Sequence, residues 1–320
     1  MQTLHAPTLQ RFLRIADHAA LLGVLFTAAA TLGRFHWGCE LFTHFQPQLA
    51  LCFIGYALLQ FALREKARAA VALIFAVKNA LPAVLLLLPP ATTPAATPAH
   101  HLRILQANIL TSNTNASALL ALVARENPDI IILQEPNARW LSDLAPLSRA
   151  YPVSATDPRE DNFGAAIFAK SARSAEIIHL NDPERAPSTR ALIDVSGRTL
   201  TVIGTHPPAP YCASKWRGRN AYTLGLARLL SETQGPRVVT GDFNNTPWSS
   251  HFQAFMTISG LRDSAQGRRP QPTWPTFLPA PLRIPLDHCF HSADVRIIDR
   301  RLGPDIGSDH LPLIIDLAFD

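Results

Sequence analysis

Charged side chains are scarce in this chain. Of its 320 residues only 17% are Asp, Glu, Lys or Arg, whereas 48% are hydrophobic. Soluble domains are nearer to about 25% charged, so we expect part of the chain to lie outside water. The length allows roughly two domains, one of which can bury a sizeable core.

The chain also lacks a broad excess of positive charge. Up to residue 100 there are seven basic and three acidic side chains, and the remainder has 22 basic and 21 acidic ones. The pI of about 9.3 therefore comes from the flanks of apolar segments, and not from the basic surface that binds long duplex DNA. Local clusters at 215–219, 268–269 and 300–301 could bind a short polyanion or lipid head groups, although we predict that they are solvated surface.

Cysteine and histidine patterns exclude the common zinc sites. Four cysteines are present, without C-x-x-C spacing, and no two histidines are two or four residues apart. Cys212 and Cys289 could form a disulfide in an oxidising compartment, but buried free thiols are the prediction.

Long apolar runs are abundant in the first hundred residues. The segments 15–35, 48–63 and 69–88 are apolar on nearly every side, and we predict three transmembrane helices, the second short for a span. A cleavable signal peptide is the alternative for the first segment, but two further apolar segments follow it. Lys78 lies inside the third segment, where we expect it to pack in the bundle or snorkel, and we assign it no function.

Basic residues flank these segments unevenly. They precede the first segment and lie between the second and third (11, 14, 64, 66 and 68), so the positive-inside rule places the N-terminus in the cytoplasm. We therefore predict a multi-pass protein of the cell inner membrane with its catalytic domain in the periplasm or cell exterior. The domains are a membrane region at 1–88, a Pro/Ala/Thr-rich linker at 89–100 and a soluble domain at 101–320.

The soluble domain has the pattern of a mixed α/β fold. Short apolar runs predict strands at 102–105, 129–133, 165–169, 175–179, 191–195, 200–204 and 237–240. Helical spacing is found at 115–125, 220–230 and 249–258. We predict two mixed β-sheets packed as a sandwich with flanking helices, preceded by the transmembrane region.

Polar residues collect where these strands meet loops. Asp242 follows the run 238–240, Asp287 follows the strand-like 283–285, and Asp309 precedes a final apolar run at 313–317. The full candidate set is Asn108, Glu135, His206, Asp242, Asn244, Asp287, Asp309 and His310. It is rich in hard oxygen donors, which suit Mg²⁺ or Mn²⁺ rather than zinc.

These residue types favour attack of water on a phosphoester. Asp242, with Asn244 two residues on, places a proton acceptor beside a neutral donor. Asp287 near His310 would fix the imidazole tautomer and keep the ring charged beside an anionic phosphate.

The motifs, taken in order, resemble those of the endonuclease/exonuclease/phosphatase superfamily, with its deoxyribonuclease I-like fold, here in a bacterial membrane-anchored form. The matching motifs are Asn108, Gln134-Glu135, Thr205-His206, Gly241-Asp242-Phe243-Asn244, Leu286-Asp287-His288 and Ser308-Asp309-His310-Leu311-Pro312. The resemblance covers about residues 101 to 320 and includes every one of these motifs.

The resemblance implies a divalent cation held mainly by Glu135, with Asn108 and Asp309 close to the metal and its waters. It implies that Asp242 orients or deprotonates the attacking water and that Asn244 binds a phosphate oxygen.

The resemblance further implies that His310, paired with Asp287, contacts the scissile phosphate. His206 would bind a second phosphate oxygen or help to protonate the leaving group. Arg139, Thr273 and Trp274 lie where substrate contacts could fall, but for them we favour structural roles.

Three functions follow as hypotheses. The first is a membrane-anchored, metal-dependent phosphodiesterase or phosphatase acting on a lipid head group or another small phosphoester. The second is a surface-tethered endonuclease or exonuclease acting on nucleic acid. The third is a non-catalytic binding domain, which the intact set of site residues disfavours.

Overall fold

The computed structural model describes residues 6–89, 100–180, 185–195 and 197–319. The chain divides into two compact units. One runs to Leu85 and includes Pro247–Ser250, and the other comprises Leu86–Thr246 and the residues from His251 onward. Most of the predicted linker, 90–99, lies outside the described residues, so the predicted domain boundaries remain a prediction.

The first unit is helical, as expected. Its helices are α1 (Ala6–Thr31), α2 (Trp37–Thr43), α3 (Gln46–Ala62) and α4 (Lys66–Leu87). Two of them, α1 and α4, are long and apolar enough to cross a membrane. The middle predicted span is instead the pair α2 and α3, bent by 59°, so the described helices offer two spans, or three if the bent pair counts as one.

Polar side chains inside α4 differ in their exposure. Asn79 is buried and its Nδ2 donates to Thr27 Oγ1 on α1 at 3.0 Å. Lys78 is exposed, so the alternative in which it packs among the described helices is wrong. Snorkelling of its ammonium group to the membrane surface stays a prediction.

The second unit contains two six-stranded mixed sheets, which confirms the predicted fold class. In spatial order the first sheet is β11 (Val295–Leu302), β12 (Leu313–Phe319), β1 (His100–Asn108), β2 (Ile130–Gln134), β4 (Ala165–Ala169) and β3 (Val153–Asp157). The second sheet is β5 (Ser174–His179), β6 (Pro187–Val195), β7 (Arg198–Thr205), β8 (Arg237–Asp242), β10 (Asp287–His291) and β9 (Arg262–Asp263).

Alternating residues of β1 and β2 explain the layers. Ile104 and Ile132 face the second sheet in one core with Val202, whereas Leu105 and Ile131 face outward into another core. Successive side chains of a strand point to opposite faces of the sheet, so a sheet that is apolar on both faces must have other elements packed on both. Helices provide the outer cover: α5 (Ala116–Glu126) and α6 (Ala138–Asp143) on the first sheet, α7 (Ala213–Glu232) and α8 (Ser250–Ser259) on the second.

One sequence expectation about the site is wrong. The segment 283–285 is not a strand, apart from an isolated bridge at Ile284, and Asp287 begins β10 rather than following a strand. Because β10 is antiparallel to β8, its first residue pairs with the last residue of β8, and Asp287 lies opposite Asp242. The carboxylate of Asp287 therefore lies at the expected edge of the sheet, but at the start of its strand and not at the end.

Candidate active site

Two parallel strand pairs bring the candidate residues to the site. β1 and β2 are parallel, and they end at Asn108 and at Gln134, just before Glu135. β7 and β8 are also parallel, and they end just before His206 and at Asp242. Parallel strands end at the same edge of a sheet, which explains why residues so distant in sequence converge.

The side chain of Asn108 joins the two sheets. Its Nδ2 donates to Glu135 Oε1 at 2.9 Å and to Asp242 Oδ2 at 3.2 Å. Its Oδ1 accepts from the backbone N–H of Leu110 at 3.1 Å. One amide therefore holds two buried carboxylates side by side.

The backbone holds Glu135 in an uncommon conformation. Its φ is +67°, in the left-handed region that non-glycine residues seldom adopt. The N–H of Glu135 donates to Gly164 O at 2.8 Å, and Thr111 N donates to Glu135 Oε2 at 3.2 Å. A Cβ on Gly164 would lie 1.9 Å from Pro136 O, so only glycine permits this close approach.

Asp242 lies between two histidines. His206 Nε2 and His310 Nε2 are each 3.5 Å from Asp242 Oδ2, and Asn244 N donates to Oδ1 at 2.8 Å. Burial opposes ionisation of Asp242, but His310 and His206 outweigh it and hold the pKa of the carboxyl well below its usual range. Asp242 is therefore a carboxylate that can accept a proton or orient a water.

His310 is held by Asp287. Its Nδ1 lies 2.8 Å from Asp287 Oδ2, and the other oxygen, Oδ1, accepts from Gln106 Nε2 at 2.9 Å. Burial disfavours the charged ring, but the carboxylates of Asp287 and Asp242 outweigh it and raise the pKa of His310 to about 10. In His206 likewise, burial lowers the pKa and Asp242 raises it, with a net rise. Positive charge thus surrounds Asp242.

The loop that carries Asp309 and His310 is fixed to β1. Ser308 Oγ donates to Asn108 O at 2.7 Å and accepts from His310 N at 3.2 Å. The carboxylate of Asp309 accepts from Trp274 Nε1 at 3.0 Å. Trp274 therefore orients Asp309, which agrees with a structural role for this tryptophan.

Two arginines that sequence reasoning placed on the surface are buried behind the site. Arg219 Nη1 donates to Asn244 O at 3.1 Å, and Arg300 Nη2 donates to Asp287 O at 3.2 Å. Both are at most 3% exposed, so the expectation of solvated clusters is wrong at these positions. In the cluster 215–219 on α7, helix periodicity turns Arg217 to the surface and Arg219 inward. In the cluster 300–301 on β11, Arg300 is buried and Arg301 is half-buried.

Three further residues named from the sequence make hydrogen bonds with backbone groups: Asn244, Arg139 and Thr273. Asn244 Nδ2 donates to Pro207 O at 3.0 Å, Arg139 donates to the carbonyls of Thr111 and Asn113, and Thr273 Oγ1 accepts from Asp287 N. All four cysteines are free.

The charges of the site fit a divalent cation. Within the described parts of the chain, the ion-pair partners of Glu135 and Asp242 are the two histidines. No group of three or more His, Cys, Asp and Glu side chains among the described residues is arranged to hold a metal. A hard divalent cation is usually held by one or two carboxylates and several waters, and Glu135 and Asp242 place two carboxylates side by side.

Asn108 is oriented as a donor in this arrangement. Its oxygen faces Leu110 N, so it would need the opposite amide orientation to act as a metal ligand. The assignment of Glu135, Asn108 and Asp309 to the metal, like the catalytic assignments, remains a prediction.

Comparison with known proteins connects this geometry to a family. No curated protein sequence matches the chain. Among solved structures, the catalytic domain of human Nocturnin with a bound sulfate anion is 23% identical to this chain, with a TM-score of 0.57. The match covers 69% of this chain and 95% of the Nocturnin chain. An endonuclease/exonuclease/phosphatase from Bacteroides vulgatus is 18% identical, with 69% and 100% coverage and a TM-score of 0.59.

D. rerio TDP2 complexed with single strand DNA product is also similar, with 18% identity, 68% and 98% coverage and a TM-score of 0.57. At these identities the likeness shows the fold. The model of the Endonuclease/Exonuclease/phosphatase family matches residues 105–310, a segment that begins in β1, ends at His310 and takes in every strand end of the site. By this match over more than half its length, the chain belongs to the Endonuclease/Exonuclease/phosphatase family.

Proposed function

We propose that the second unit hydrolyses a phosphoester with the help of Mg²⁺ or Mn²⁺. Members of the family are phosphoester hydrolases that generally use divalent cations. The observation that supports the proposal most directly is the amide of Asn108, which holds Glu135 beside Asp242 while two histidines approach Asp242.

Glu135 and Asp309 would hold the cation, with Asn108 beside them. When bound, the cation would supply positive charge that stabilises the phosphate as its own negative charge grows. The remaining steps belong to the side chains of this chain.

Asp242, which its lowered pKa keeps ionised, would orient the attacking water by accepting a hydrogen bond from it and would take its proton as the bond to phosphorus forms. His310, charged and fixed by Asp287, would donate to a phosphate oxygen through Nε2. His206 would bind a second oxygen or protonate the leaving group, and Asn244 would donate to the phosphate through its amide.

The first unit would anchor this enzyme in the cell inner membrane, with the catalytic unit in the periplasm or cell exterior. The two apolar helices, with the bent pair as a third span, support the anchor, and the basic residues that flank them support the orientation. A reporter that is active only in the cytoplasm, fused after Asp320, should be inactive. An active reporter would contradict this orientation.

A lipid head group or small phosphodiester is the preferred substrate. Long nucleic acid binds through many basic contacts, but Arg219 and Arg300 are buried and already donate to backbone carbonyls of the site. Nucleic acid is the second candidate, since D. rerio TDP2 of similar fold was solved with a single strand DNA product. Oligonucleotide binding that weakens steeply with salt would favour the nuclease.

The test uses the full chain in detergent or nanodiscs, assayed against phospholipids, a soluble phosphodiester and oligonucleotides. We expect turnover that needs Mg²⁺ or Mn²⁺ and stops with chelator. Glu135→Gln should weaken the apparent metal affinity at least tenfold. Even groups that only hydrogen-bond to a metal ligand typically change metal affinity by about 10- to 100-fold. The matched control is Glu176→Gln, an exposed glutamate paired with Arg190. Chelator-resistant turnover would contradict the metal assignment.

A further inference from the structure

An exposed apolar loop lies next to the site. It comprises residues 277–282, Phe-Leu-Pro-Ala-Pro-Leu, with no charged or polar side chain. Phe277 is 78% exposed, the highest fraction for any large hydrophobic side chain among the described residues, and Leu282 is 49% exposed. Exposed apolar residues that are contiguous in this way are typical of interaction surfaces.

The loop is held rigidly from within. Leu282 N donates to Pro279 O at 2.9 Å, and Leu278 N donates to Pro275 O at 3.2 Å. The guanidinium of Arg283 donates to Leu278 O at 2.6 Å and to the carbonyl of Thr276 at 2.7 Å. The apolar side chains therefore project from a braced backbone.

The base of the apolar loop is bonded to the site. Thr276 N donates to Asp309 O at 2.9 Å, and Thr276 Oγ1 donates to Ser308 O at 2.9 Å. Trp274, three residues before Phe277, donates to the carboxylate of Asp309. Whatever the loop binds is therefore held close to Asp309, proposed to hold the cation, and to its neighbour His310, proposed to bind the phosphate.

The backbone chemistry favours lipid as the occupant. Hydrocarbon penalises every N–H and C=O without a partner. Two residues of the loop, Pro279 and Pro281, have no N–H. The N–H of Leu282 donates to Pro279 O inside the loop, and the N–H of Leu278 donates to Pro275 O just before it. A nucleic acid would instead require basic side chains, which the loop lacks.

The length of the chain also favours lipid. Residues 88–99 separate the end of α4 at Leu87 from the start of β1 at His100. Twelve residues span at most about 40 Å. If α4 crosses the membrane, the start of β1 at His100 stays within about 40 Å of the end of that helix.

We propose that the apolar loop 277–282 inserts into the surface of a lipid bilayer and presents phosphoesters of membrane lipids to the site beside Asp309. The inference rests on the proposed anchoring and phosphoester hydrolysis, and it specifies the substrate class of that site.

The first measurement detects insertion directly. Phe277→Trp is made in the full chain, which is reconstituted in vesicles of phosphatidylethanolamine and phosphatidylglycerol with or without brominated acyl chains. After subtraction of the wild-type signal, we expect the bromine to quench at least half of the added fluorescence. Ile298→Trp, at an exposed apolar position of β11, is the control and should be quenched less. Equal quenching at the two positions would overturn the proposal.

The second measurement compares two substrates. The double variant Phe277→Ser and Leu282→Ser should lower the ratio of phospholipid turnover in vesicles to soluble phosphodiester turnover at least fivefold, and Ile298→Ser should leave that ratio unchanged. An unchanged ratio in the double variant would contradict lipid presentation.

Other outcomes separate this inference from the function on which it rests. Quenching by an oligonucleotide with a nucleobase quencher, without quenching by brominated lipid, would assign the loop to nucleic acid and overturn the proposal. If no phosphoester is turned over, the proposed function fails, whereas lipid quenching of Phe277→Trp still decides whether the loop inserts.

Discussion

The two sheets contribute equivalent elements and different chemistry to the site. Each provides the carboxyl ends of one parallel strand pair, β1 and β2 in the first sheet and β7 and β8 in the second. In the first sheet Glu135 accepts hydrogen bonds from neutral groups, Asn108 and Thr111 N. At the end of the second sheet, Asp242 lies beside His206 and His310. His310 comes from the loop before β12 and is held by Asp287 on β10 of the second sheet.

This difference shows how charge is divided across the site. Asp287 lies 2.8 Å and Asp242 3.5 Å from a histidine nitrogen, whereas the contact of Glu135 with His206 is longer, at 3.9 Å. We infer that the first sheet provides the cation side and the second sheet the proton-transfer side. Variants that alter one side should therefore have distinct effects.

The largest effect is expected from the second sheet. Asp242→Asn removes the carboxylate that accepts the proton, and we expect kcat to fall about a thousandfold, as for other positioned acid–base groups. Apparent metal affinity should change less than in Glu135→Gln, because the two side chains lie on different sides of the site. Both kcat and the apparent metal affinity are obtained by measuring the phosphodiesterase rate at increasing metal concentrations.

The control for Asp242→Asn is Asp194→Asn, which alters an exposed aspartate paired with Arg173. It should leave kcat and metal affinity unchanged, and thermal unfolding of both variants should show a folded domain. A folded Asp242→Asn protein with near wild-type kcat would contradict the proposed division.

A smaller effect is expected at Asp287, which acts through His310. In Asp287→Asn, the amide can present its oxygen to His310 Nδ1 only by turning its NH₂ toward Gln106 Nε2, which is also a donor. One contact must fail, and we expect kcat to fall about ten- to a hundredfold with metal affinity retained. Asp294→Asn is the control, because Asp294 lies in the turn between β10 and β11 and is paired with Arg198. Loss of metal binding in Asp287→Asn would show that the two sides are not separate.

The sequence predicts much of this fold because the relevant strands are buried on both faces. The strand 165–169 matches β4 residue for residue, and 129–133 matches β2 within one residue. Continuous apolar runs of four to eight residues that are too short for a helix and bounded by polar or turn residues favour strands buried on both faces. The strand β3, whose burial alternates between half-buried and exposed residues, was not predicted because its sequence 153–157 is largely polar.

The candidate site was predicted as a set of residues, and its supporting contacts were not. The eight residues carry recognisable motifs, but Gln106, Arg219 and Arg300 lie in strands and helices with no local sign of their partners. Their contacts with Asp287 and Asn244 join positions far apart in the sequence. Only the packing of the two sheets reveals them, because burial of a polar residue depends on tertiary partners.

The smallest effect is expected at Gln106, whose side chain extends from the first sheet to the second and tests whether the first sheet helps to position Asp287. Its Nε2 donates to Gln134 Oε1 at 2.7 Å on β2 and to Asp287 Oδ1 at 2.9 Å on β10. Gln106→Leu leaves a buried carboxylate oxygen without this donor, and we expect a loss of about 1–3 kcal/mol in the free energy of unfolding. The fall in kcat should be less than tenfold, since Asp287 Oδ2 can still hold His310.

The measurement is a double-mutant cycle of Gln106→Leu with Asp287→Asn, read by chemical denaturation and by kcat. Because the two side chains are in contact, their effects should be coupled by at least about 0.5 kcal/mol. Gln134→Leu serves as the control, since it removes the other partner of Gln106 and leaves Asp287 intact. Additive effects of Gln106 and Asp287 would mean that the hydrogen bond between the sheets does not position the pair of Asp287 and His310.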